Sequence, residues 1–552
     1  MRRATGELTS VLRALLIDFG NRDLGLLGVA KAGVSFASWS FAIALGVYGF
    51  EAGGAVAVGV VALVRLAPGA VASPFAGLLS DRYPRRSVLL GSCLAISLIL
   101  ATASAAAALD AAAAIIFALA GAFTVASSGY LPAEAALLPH LARTPQELSA
   151  ANVTHSGMDN IGFLLAALST GVLLAITSPA VVFGVAALLA LITAVLLDRI
   201  ERDRRPEYDG DGEISGMWRQ TTLGFRTLAE HPALRLLAAT LVVLVFFEGV
   251  ADVLVVIMAL DLLGLSEGSV GFLNASWGVG AFIAGGGLTL LLNRNRLVIG
   301  LAGGSVVIGL AVALPGAWPV AAAAYAGWFG IGVGYTFIEV AGKTLLQRLG
   351  SDESLGRVLG SLEASRLAAM ALGSIGASAI VALLGIRGAL LALAALMPLF
   401  VLLCWTRLRA FEVGAPVPEA HFQLLRGDSI FAPLPVATLE RISHDLAPVR
   451  AEPGEEVITQ GQRGDSFYLI EEGEVEVFEN GVFRRTEGAG ESFGEIALLH
   501  DVPRTATVRA TAPTRMLALE RDQFISAVTG HRRSSQVAHS VVDARWPSSA
   551  HF

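Results

Sequence analysis

Charged residues are scarce in this chain. Asp, Glu, Lys and Arg make up only 15% of its 552 residues, whereas 54% are hydrophobic. A typical soluble domain has about 25% charged residues, so the composition excludes a soluble globular fold for most of the length. It predicts a membrane protein that carries a small soluble appendage, with the lipid bilayer as its first partner.

Cysteines, leader features and catalytic motifs are also rare or missing. Cys93 and Cys404 lie far apart in apolar segments, which predicts free buried thiols rather than a disulfide framework. Asp18 and Arg22 interrupt any apolar core of a cleavable signal peptide. The sequence has no P-loop, metal cluster or nucleophile paired with a base. We therefore expect no enzyme and no metal or other cofactor, and we interpret His500 as a surface loop residue.

Long apolar runs dominate the first 410 residues. Each has about 18–25 residues, the length that crosses a bilayer core. The charged loop at 199–233 divides them into six and six, which predicts two six-helix transmembrane bundles, at 26–198 and 234–410. Residues 1–25 are predicted to contain an amphipathic helix on the membrane surface. The twelve runs are 26–49, 55–79, 87–108, 111–130, 153–176, 179–198, 234–258, 269–292, 297–314, 318–341, 357–383 and 386–406.

The charges of the loops predict the orientation of the chain. One set of alternate loops is rich in Arg and Lys, as cytoplasmic loops are. The other set carries four acidic residues and a single clear cation, Arg387. We therefore expect a multi-pass protein of the cytoplasmic (plasma) membrane with both termini in the cytoplasm. The acidic residues are Glu51, Asp110, Asp261 and Glu267. The cations of the first set are Arg82, Arg85, Arg86, Arg143, Arg199, Arg202, Arg204, Arg205, Arg294, Arg296, Lys343, Arg348, Arg357, Arg407 and Arg409.

The loop after the second run carries a recognisable motif, Gly77-Leu78-Leu79-Ser80-Asp81-Arg82-Tyr83-Pro84-Arg85-Arg86. It resembles the signature Gly-x-x-x-Asp-Arg-x-Gly-Arg-Arg of the major facilitator superfamily, with Pro84 replacing the second glycine. The resemblance, over residues 20–410, implies a secondary transporter of a small-molecule substrate that works by alternating access. It also implies a cytoplasmic gate motif, in which Asp81 helps to latch the two bundles closed. The motif residues are Gly77, Asp81, Arg82, Arg85 and Arg86. The fifth run lacks the Gly-Pro pair usual in drug–proton antiporters of this superfamily.

Ionisable residues inside the runs are the candidate transport site, because charges within a bilayer are costly. Glu248 and Asp252 are four residues apart and share a helix face. Two carboxylates in one low-dielectric cavity would suit a proton or cation carrier. Lys31 and Glu339 are further candidates for the transport pathway or for ion coupling. For the other polar groups in the runs, the alternative to a role in transport is a structural one, as ion pairs, snorkelling groups or helix–helix hydrogen bonds. They are Arg65, Lys343, Glu363, Arg366, Asn152, His155, Asn160, Asn274 and Ser276.

The composition changes after a linker at 411–428. In residues 429–552 an amphipathic helix is followed by strand-sized apolar runs that glycines separate. This pattern predicts a small antiparallel β-roll. The predicted strands are 449–450, 456–458, 466–470, 474–478, 508–510 and 515–519, and final helices are predicted at 522–528 and 533–545.

The stretch from Phe493 to Val508 has the sequence FGEIALLHDVPRTATV. A helical turn between two strands can hold amides, one carboxylate and one guanidinium around a small anion. The stretch resembles the phosphate-binding cassette of cyclic-nucleotide-binding domains such as those of protein kinase A regulatory subunits. The resemblance implies that Glu495 binds the ribose 2′-hydroxyl and Arg504 the cyclic phosphate. Gly494, Ala497 and Thr505 would offer backbone amides.

Together these patterns predict an α-helical membrane protein with a C-terminal α+β cyclic-nucleotide-binding β-roll. The expected function is transport of a small solute, regulated by cyclic AMP as ligand. Cyclic GMP stays open, because Thr505 resembles the channel versions of the domain. The alternative is a membrane-bound nucleotide receptor whose transporter-like half does not transport. A gated ion channel would need a selectivity filter, which the sequence lacks, and nucleic-acid binding would need a helix-turn-helix after residue 530.

Overall fold

A computed structural model describes most of the chain. The described residues are 20–142, 145–200, 225–291, 297–349, 352–410, 419–434, 436–529, 534, 537–538 and 540–542. Most of the predicted amphipathic helix at 1–25, the charged centre of the 199–233 loop and much of the helix predicted at 533–545 lie outside these residues. The chain divides into two compact units, residues 1–411 and 412–552.

The first unit is entirely helical where it is described. Its first half contains α1 (Arg22–Arg82), α2 (Arg85–Ala108), α3 (Ala113–Ser128), α4 (Tyr130–Leu141), α5 (Pro145–Ile176) and α6 (Pro179–Asp198). Its second half contains α7 (Pro232–Ile257), α8 (Gly268–Leu291), α9 (Leu297–Ala317), α10 (Ala321–Leu349) and α11 (Asp352–Ala410). A π-helical turn, Met258–Leu262, continues α7.

Two of these helices are much longer than a bilayer is thick. Helix α1 has 61 residues and α11 has 59, and a helix rises about 1.5 Å per residue. Both are broken by glycines with non-helical backbone angles, α1 at Gly53 and Gly54 and α11 at Gly385. Each therefore consists of two helical segments joined at these glycines. Among the described residues, nine helical stretches are long and apolar enough to cross a membrane, and the number of twelve spans stays a prediction.

The helices pack in two groups that also touch each other. In the first half α1 packs against α3, α5 and α6, and in the second half α7 packs against α11 and α10 against α9. Helices α5 and α8 join the halves, where a Cβ on Gly271 would lie 2.4 Å from the amide nitrogen of Gly171. Only glycine permits so close an approach of two helix backbones. Ser378 on α11 also donates to the carbonyl oxygen of Ala55 on α1 at 3.0 Å.

The second unit is a β-sandwich flanked by short helices. The helices are α12 (Glu419–Gly427), α13 (Val436–Asp445), α14 (Glu495–Leu499) and α15 (Arg521–Thr529). The strands are β1 (Ala447–Ala451), β2 (Glu456–Ile458), β3 (Ser466–Glu472), β4 (Glu474–Glu479), β5 (Val482–Gly488), β6 (Ser492–Phe493), β7 (Thr507–Ala510) and β8 (Thr514–Glu520). They form two antiparallel four-stranded sheets, ordered β1-β8-β3-β6 and β2-β7-β4-β5.

Three phenylalanines fix the helices of this unit to one sheet. Phe467 on β3 stacks on Phe524 of α15 with ring centroids 4.9 Å apart, and Phe431 meets both rings edge-on. All three side chains are fully buried. Burying such rings contributes about 1.5–3 kcal/mol each. The helix α15 is thereby held against β3, which pairs with β6 at the start of the cassette.

The sequence prediction missed two strands, the two-residue β6 and the longer β5. Strand β5 pairs with β4 through the two-residue turn Asn480-Gly481, in which both residues have positive φ, 53° and 77°. An Asn-Gly pair is the preferred centre of such a hairpin turn. This local signal was therefore present in the sequence, although the weak alternation of Val482–Gly488 does not by itself indicate a strand.

Candidate functional sites

The cassette forms a compact loop around one glycine. Gly494 has φ of 95° and begins the short helix α14. A Cβ at this position would lie 2.8 Å from Nη1 of Arg504 and 3.1 Å from the carbonyl oxygen of Ser466. A side chain here would be strained by the backbone and would also collide with its neighbours. The position therefore requires glycine both for its backbone angle and for its contacts.

Arg504 is the central cation of the cassette. Its guanidinium donates to the carbonyl oxygens of Gly494 at 3.0 Å and Ser466 at 2.6 Å. It lies 5.9 Å from the centre of the Tyr468 ring, and the nearest carboxylate oxygen, on Asp465, is 3.9 Å away. Burial lowers the pKa of Arg504 from its usual value. Since the side chain stays a buried cation, a small anion in the cassette would offset the cost of its burial.

The other predicted cassette residues surround this cation. Glu495 is almost fully buried, with 1% of its surface exposed, and Ala497 is 2% exposed. Thr505, which follows Arg504, is half-buried. On the facing loop, a Cβ on Gly464 would lie 2.8 Å from the Cβ of Ala497. The same Cβ would lie 3.1 Å from Nε of Arg504, so Ala497 and Arg504 both approach Gly464 closely.

Arg521 ties the start of the final helix to this loop. Its guanidinium donates to the carbonyl oxygen of Gly464 at 3.0 Å and to the carboxylate of Asp501 at 2.5 Å. Its own backbone amide donates to the carbonyl oxygen of Asp465 at 2.8 Å. Arg521 was not among the predicted site residues. A rearrangement of the cassette loops would be transmitted to α15 through these bonds.

In the membrane unit, Asp252 lines a cavity of about 50 Å³ between the two halves. Arg65 and Trp39 of α1 and Asn274 of α8 line the same cavity. The opposite charges of Arg65 and Asp252 attract each other. The sequence analysis gave a structural role as the alternative for Arg65. The structure places Arg65 in the same cavity as Asp252, a candidate transport residue.

Glu248 and Glu339 have separate partners. Glu248 accepts a hydrogen bond of 2.6 Å from the hydroxyl of Tyr335 on α10. Glu339, one turn further along α10, lies 2.8 Å from Nζ of Lys343 and 3.5 Å from Nη2 of Arg366. Arg366 also pairs with Glu363 at 3.6 Å. Tyr335 was missed by the sequence analysis, although its spacing of four from Glu339 places both on one helix face.

Lys31 belongs to a buried charged cluster that the sequence analysis largely missed. Its Nζ lies 3.3 Å from Glu134 and 3.5 Å from Asp159. Glu134 in turn lies 2.8 Å from Nδ1 of His155. The available signal was the spacing of four between His155 and Asp159, which places both on one face of α5. Glu134 follows the apolar run that was assigned to 111–130, so no intramembrane charge was expected there.

The gate motif is described in part. The side chains of Gly77, Asp81 and Arg82 lie outside the described residues. Arg85 lies 2.9 Å from Nε2 of His140, and Arg86 contacts the carboxylate of Asp198 at 2.6 Å. The two described arginines of the motif thus attach the start of α2 to α4 and to the end of α6.

Of two further polar residues, Ser276 has the helix–helix hydrogen bond that the structural alternative describes, whereas Asn274 bonds within its own helix. Ser276 donates to the carbonyl oxygen of Tyr325 at 2.9 Å, between α8 and α10. Asn274 donates to the carbonyl oxygen of Val270 at 2.9 Å within α8. His500 is exposed on the turn after α14.

Comparison with known proteins identifies both parts of the chain. The family model described as Major Facilitator Superfamily matches residues 27–361, more than half of the chain. The model described as Cyclic nucleotide-binding domain matches residues 448–531.

Individual relatives match the carboxy-terminal part. A cAMP-dependent protein kinase regulatory subunit of Yarrowia lipolytica is 37% identical over 113 residues, which are 20% of this chain and 30% of the relative. The regulatory domain of Toxoplasma gondii PKA, solved with cAMP, is 26% identical, with a TM-score of 0.21. The match covers 24% of this chain and 52% of the Toxoplasma gondii chain. The sensor domain of the regulator DNR from Pseudomonas aeruginosa is 20% identical, with a TM-score of 0.22, over 23% of this chain and 94% of its own.

The chain spans less than a third of the length of its curated yeast relative. The two family matches lie on the two compact units of the structure. The chain therefore belongs to the major facilitator superfamily and carries a cyclic-nucleotide-binding domain after its membrane helices.

Proposed function

We propose that this protein is a transporter of a small solute whose activity is regulated by cyclic AMP bound to its carboxy-terminal domain. The observation that carries the regulatory half is the placement of Arg504. It is a buried cation, 6% exposed, held by carbonyl groups beside the cassette glycine. An anionic ligand of matching size is the natural counter-charge for such a group.

The nucleotide would be held by groups of the cassette. Arg504 would bind the cyclic phosphate with its guanidinium, and the amides of Gly494, Ala497 and Thr505 would donate to phosphate oxygens. Glu495 would accept a hydrogen bond from the ribose 2′-hydroxyl, which requires an ionised carboxylate close to the sugar. Cyclic AMP is the proposed ligand because the yeast relative is named as a cAMP-dependent protein. Cyclic GMP is the alternative.

The transport half rests on the arrangement of the two helical halves. Helix α5 packs against α8. Helix α1 packs against α11, and Ala55, next to the kink of α1, accepts a hydrogen bond from Ser378 of α11. The charged cavity beside Asp252 lies between the same halves. Rocking of the halves about a central site is the usual mechanism of secondary transporters. Asp252, Glu248, Glu339 and Lys31 are the proposed pathway or ion-coupling residues.

Regulation requires a difference in nucleotide affinity between transport states. A ligand shifts a conformational equilibrium only as far as it binds one state more tightly than another. Nucleotide in the cassette would move α15 through the contacts of Arg521. The linker after α11 would carry this change to the cytoplasmic gate motif, Gly77, Asp81, Arg82, Arg85 and Arg86. In this proposal both termini are cytoplasmic, and the protein lies in the plasma membrane.

Calorimetric titration tests the nucleotide site. Cyclic AMP and cyclic GMP are titrated into purified full-length protein, its Arg504→Ala and Arg504→Lys variants, and a matched Arg515→Ala control. Arg515 is 47% exposed on β8, where it pairs with surface carboxylates. We expect binding in the wild type and the control, a loss in Arg504→Ala, and a weaker affinity in Arg504→Lys because lysine lacks the planar fork. Binding that is unchanged in both Arg504 variants would refute the assignment.

A second candidate function is a nucleotide receptor whose membrane half does not transport. It is favoured by the small volume of the cavity beside Asp252, about 50 Å³. A flux screen in proteoliposomes, with and without cyclic AMP, separates the two functions. Solute uptake that changes with nucleotide supports the regulated transporter. Nucleotide binding without flux of any solute in the screen supports the receptor.

A further inference from the structure

The charged cluster in the first half of the membrane unit has a defined chemistry. Lys31 of α1, Glu134 of α4, and His155 and Asp159 of α5 are joined by two ion pairs of Lys31, at 3.3 and 3.5 Å, and by a hydrogen bond of 2.8 Å between His155 and Glu134. Glu134 and His155 are 4% and 5% exposed. Charged groups buried this deeply in a membrane helix bundle are costly. Their arrangement therefore calls for a functional explanation.

The hydrogen bond between His155 and Glu134 determines the form of the imidazole. An ionised carboxylate can only accept hydrogen bonds, so Nδ1 of neutral His155 carries the hydrogen that points at Glu134. The other ring nitrogen, Nε2, then holds a bare lone pair. It is buried and has no hydrogen-bond partner among the described residues. A buried basic nitrogen held in this tautomer is ready to accept a proton.

The charge balance of the cluster favours the same chemistry. With His155 neutral, one cation faces two carboxylates, so the cluster carries one negative charge. One proton makes it neutral, and neutrality lowers the electrostatic cost of burial. Both oxygens of Glu134 already face cationic or N–H groups, Nζ of Lys31 and Nδ1 of His155. This leaves Glu134 poorly suited to coordinate a metal cation.

Other titratable groups adjoin the cluster. The Tyr130 hydroxyl is buried without a hydrogen-bond partner among the described residues, and Nζ of Lys31 lies 5.9 Å from the centre of its ring. Cys93 of α2 belongs to the same buried apolar cluster as Tyr130. Asp159 is the most open member, with 48% of its side chain exposed.

We propose that Lys31, Glu134, His155 and Asp159 form a proton-binding site of the carrier, with Nε2 of His155 as the proton acceptor and Glu134 as its positioning residue. The proton arrives from water and forms an N–H bond at Nε2, and the imidazolium charge is balanced by Glu134. The same bond breaks when the proton leaves. Use of this proton to drive solute movement rests on the proposed transport function. The proton site lies apart from the cavity beside Asp252, because none of its four side chains lines that cavity.

Nitrogen NMR of the full-length protein in lipid tests the proposal. The nine histidines are labelled with ¹⁵N, and the His155 signals are assigned by their loss in His155→Asn. His140→Asn is the matched control, because His140 is exposed and contacts Arg85. The nitrogen shifts distinguish the Nδ1–H form, the Nε2–H form and the imidazolium.

We expect His155 to be in the Nδ1–H form at alkaline pH and to gain imidazolium over the range from alkaline to acidic pH. Glu134→Gln should lower the ratio of imidazolium to neutral imidazole at a fixed pH, by about tenfold or more, since a nearby carboxylate favours the charged form. Asp159→Asn should reduce it by a smaller factor. Unchanged signals from the other histidines show that each variant is folded.

A His155 that stays neutral over this range, or that is in the Nε2–H form, would overturn the proposal. So would an imidazolium population that Glu134→Gln leaves unchanged. These outcomes concern proton binding alone. A protein that binds this proton but moves no solute would contradict the transport function and leave the proton site standing.

Discussion

The guanidinium of Arg504 donates to the carbonyl oxygen of Gly494 at 3.0 Å. The residue proposed to bind the cyclic phosphate therefore also fixes the loop that would surround that phosphate. The same guanidinium donates to the carbonyl oxygen of Ser466 on β3. Binding of an anion would compete with these carbonyl contacts or add to them, and in either case would change how the loop is held. This double role explains why ligand binding at Arg504 can alter the structure of the domain.

Gly494→Ala should weaken cyclic AMP binding and destabilise the domain. Alanine at φ of 95° costs about 1–2 kcal/mol, and its Cβ would push against Arg504. Gly481→Ala is the matched control, since Gly481 also has positive φ, 77°, but has no atoms close to its Cβ position. Both variants should lose thermal stability, but only Gly494→Ala should lose affinity, by about tenfold or 1.4 kcal/mol. Equal affinity in the two variants would show that the contact with Arg504 does not matter.

Glu495→Ala should remove the preference for a ribose 2′-hydroxyl. We expect the wild type to bind cyclic AMP more tightly than 2′-deoxy-cyclic AMP, by about 1.5–3 kcal/mol for a hydrogen bond to a charged group. In Glu495→Ala the two ligands should bind with similar affinity. The four affinities form a thermodynamic cycle, measured by calorimetry, whose coupling energy isolates this contact. A coupling energy near zero would place the sugar elsewhere.

Tyr335→Phe should destabilise the membrane unit. The change removes the hydroxyl that donates to Glu248 at 2.6 Å, and an unsatisfied buried acceptor costs about 1–3 kcal/mol. Tyr325→Phe on the same helix is the control, because the contact described there uses its backbone carbonyl. Thermal unfolding of the two variants in detergent should show a lower midpoint for Tyr335→Phe alone. Identical midpoints would show that the Glu248 bond contributes nothing to stability.

Arg65 and Asp252 should behave as a coupled pair. Opposite charges that line one cavity inside a helix bundle attract each other, so removing one of them leaves the other without its counter-charge. Arg65→Gln and Asp252→Asn should therefore each lower the unfolding midpoint, and the double variant should regain part of the loss. Additive losses in the double variant would mean that the two charges, although they line one cavity, do not stabilise each other.

The glycines and the cassette motif were readable from the sequence because they depend on local chemistry. The family matches at 27–361 and 448–531 confirm the two resemblances drawn from the motifs at Asp81 and at Arg504. The prediction of an apolar helical region followed by a small β-domain is confirmed in the same way. The predicted roles of individual residues in both sites stay predictions.

Partners across helices were not readable. Glu134 lies over twenty residues before His155 in the sequence, and Lys31 lies more than a hundred residues before both. Nothing in the local pattern of any one helix indicates which of its faces will meet another. The bond of Tyr335 to Glu248 and the shared cavity of Arg65 and Asp252 were missed for the same reason.

The sequence by itself determined the membrane character and the two classes of domain. Composition, hydrophobic run length and a short motif are local properties, and each follows from nearest neighbours along the chain. The tertiary structure alone decided which polar groups contact each other, such as Lys31 with Glu134 and the Arg504 guanidinium with the carbonyl oxygen of Gly494. Helix packing and strand pairing bring residues that are distant in sequence into contact. The low dielectric of the interior makes the contacts between their polar groups energetically important.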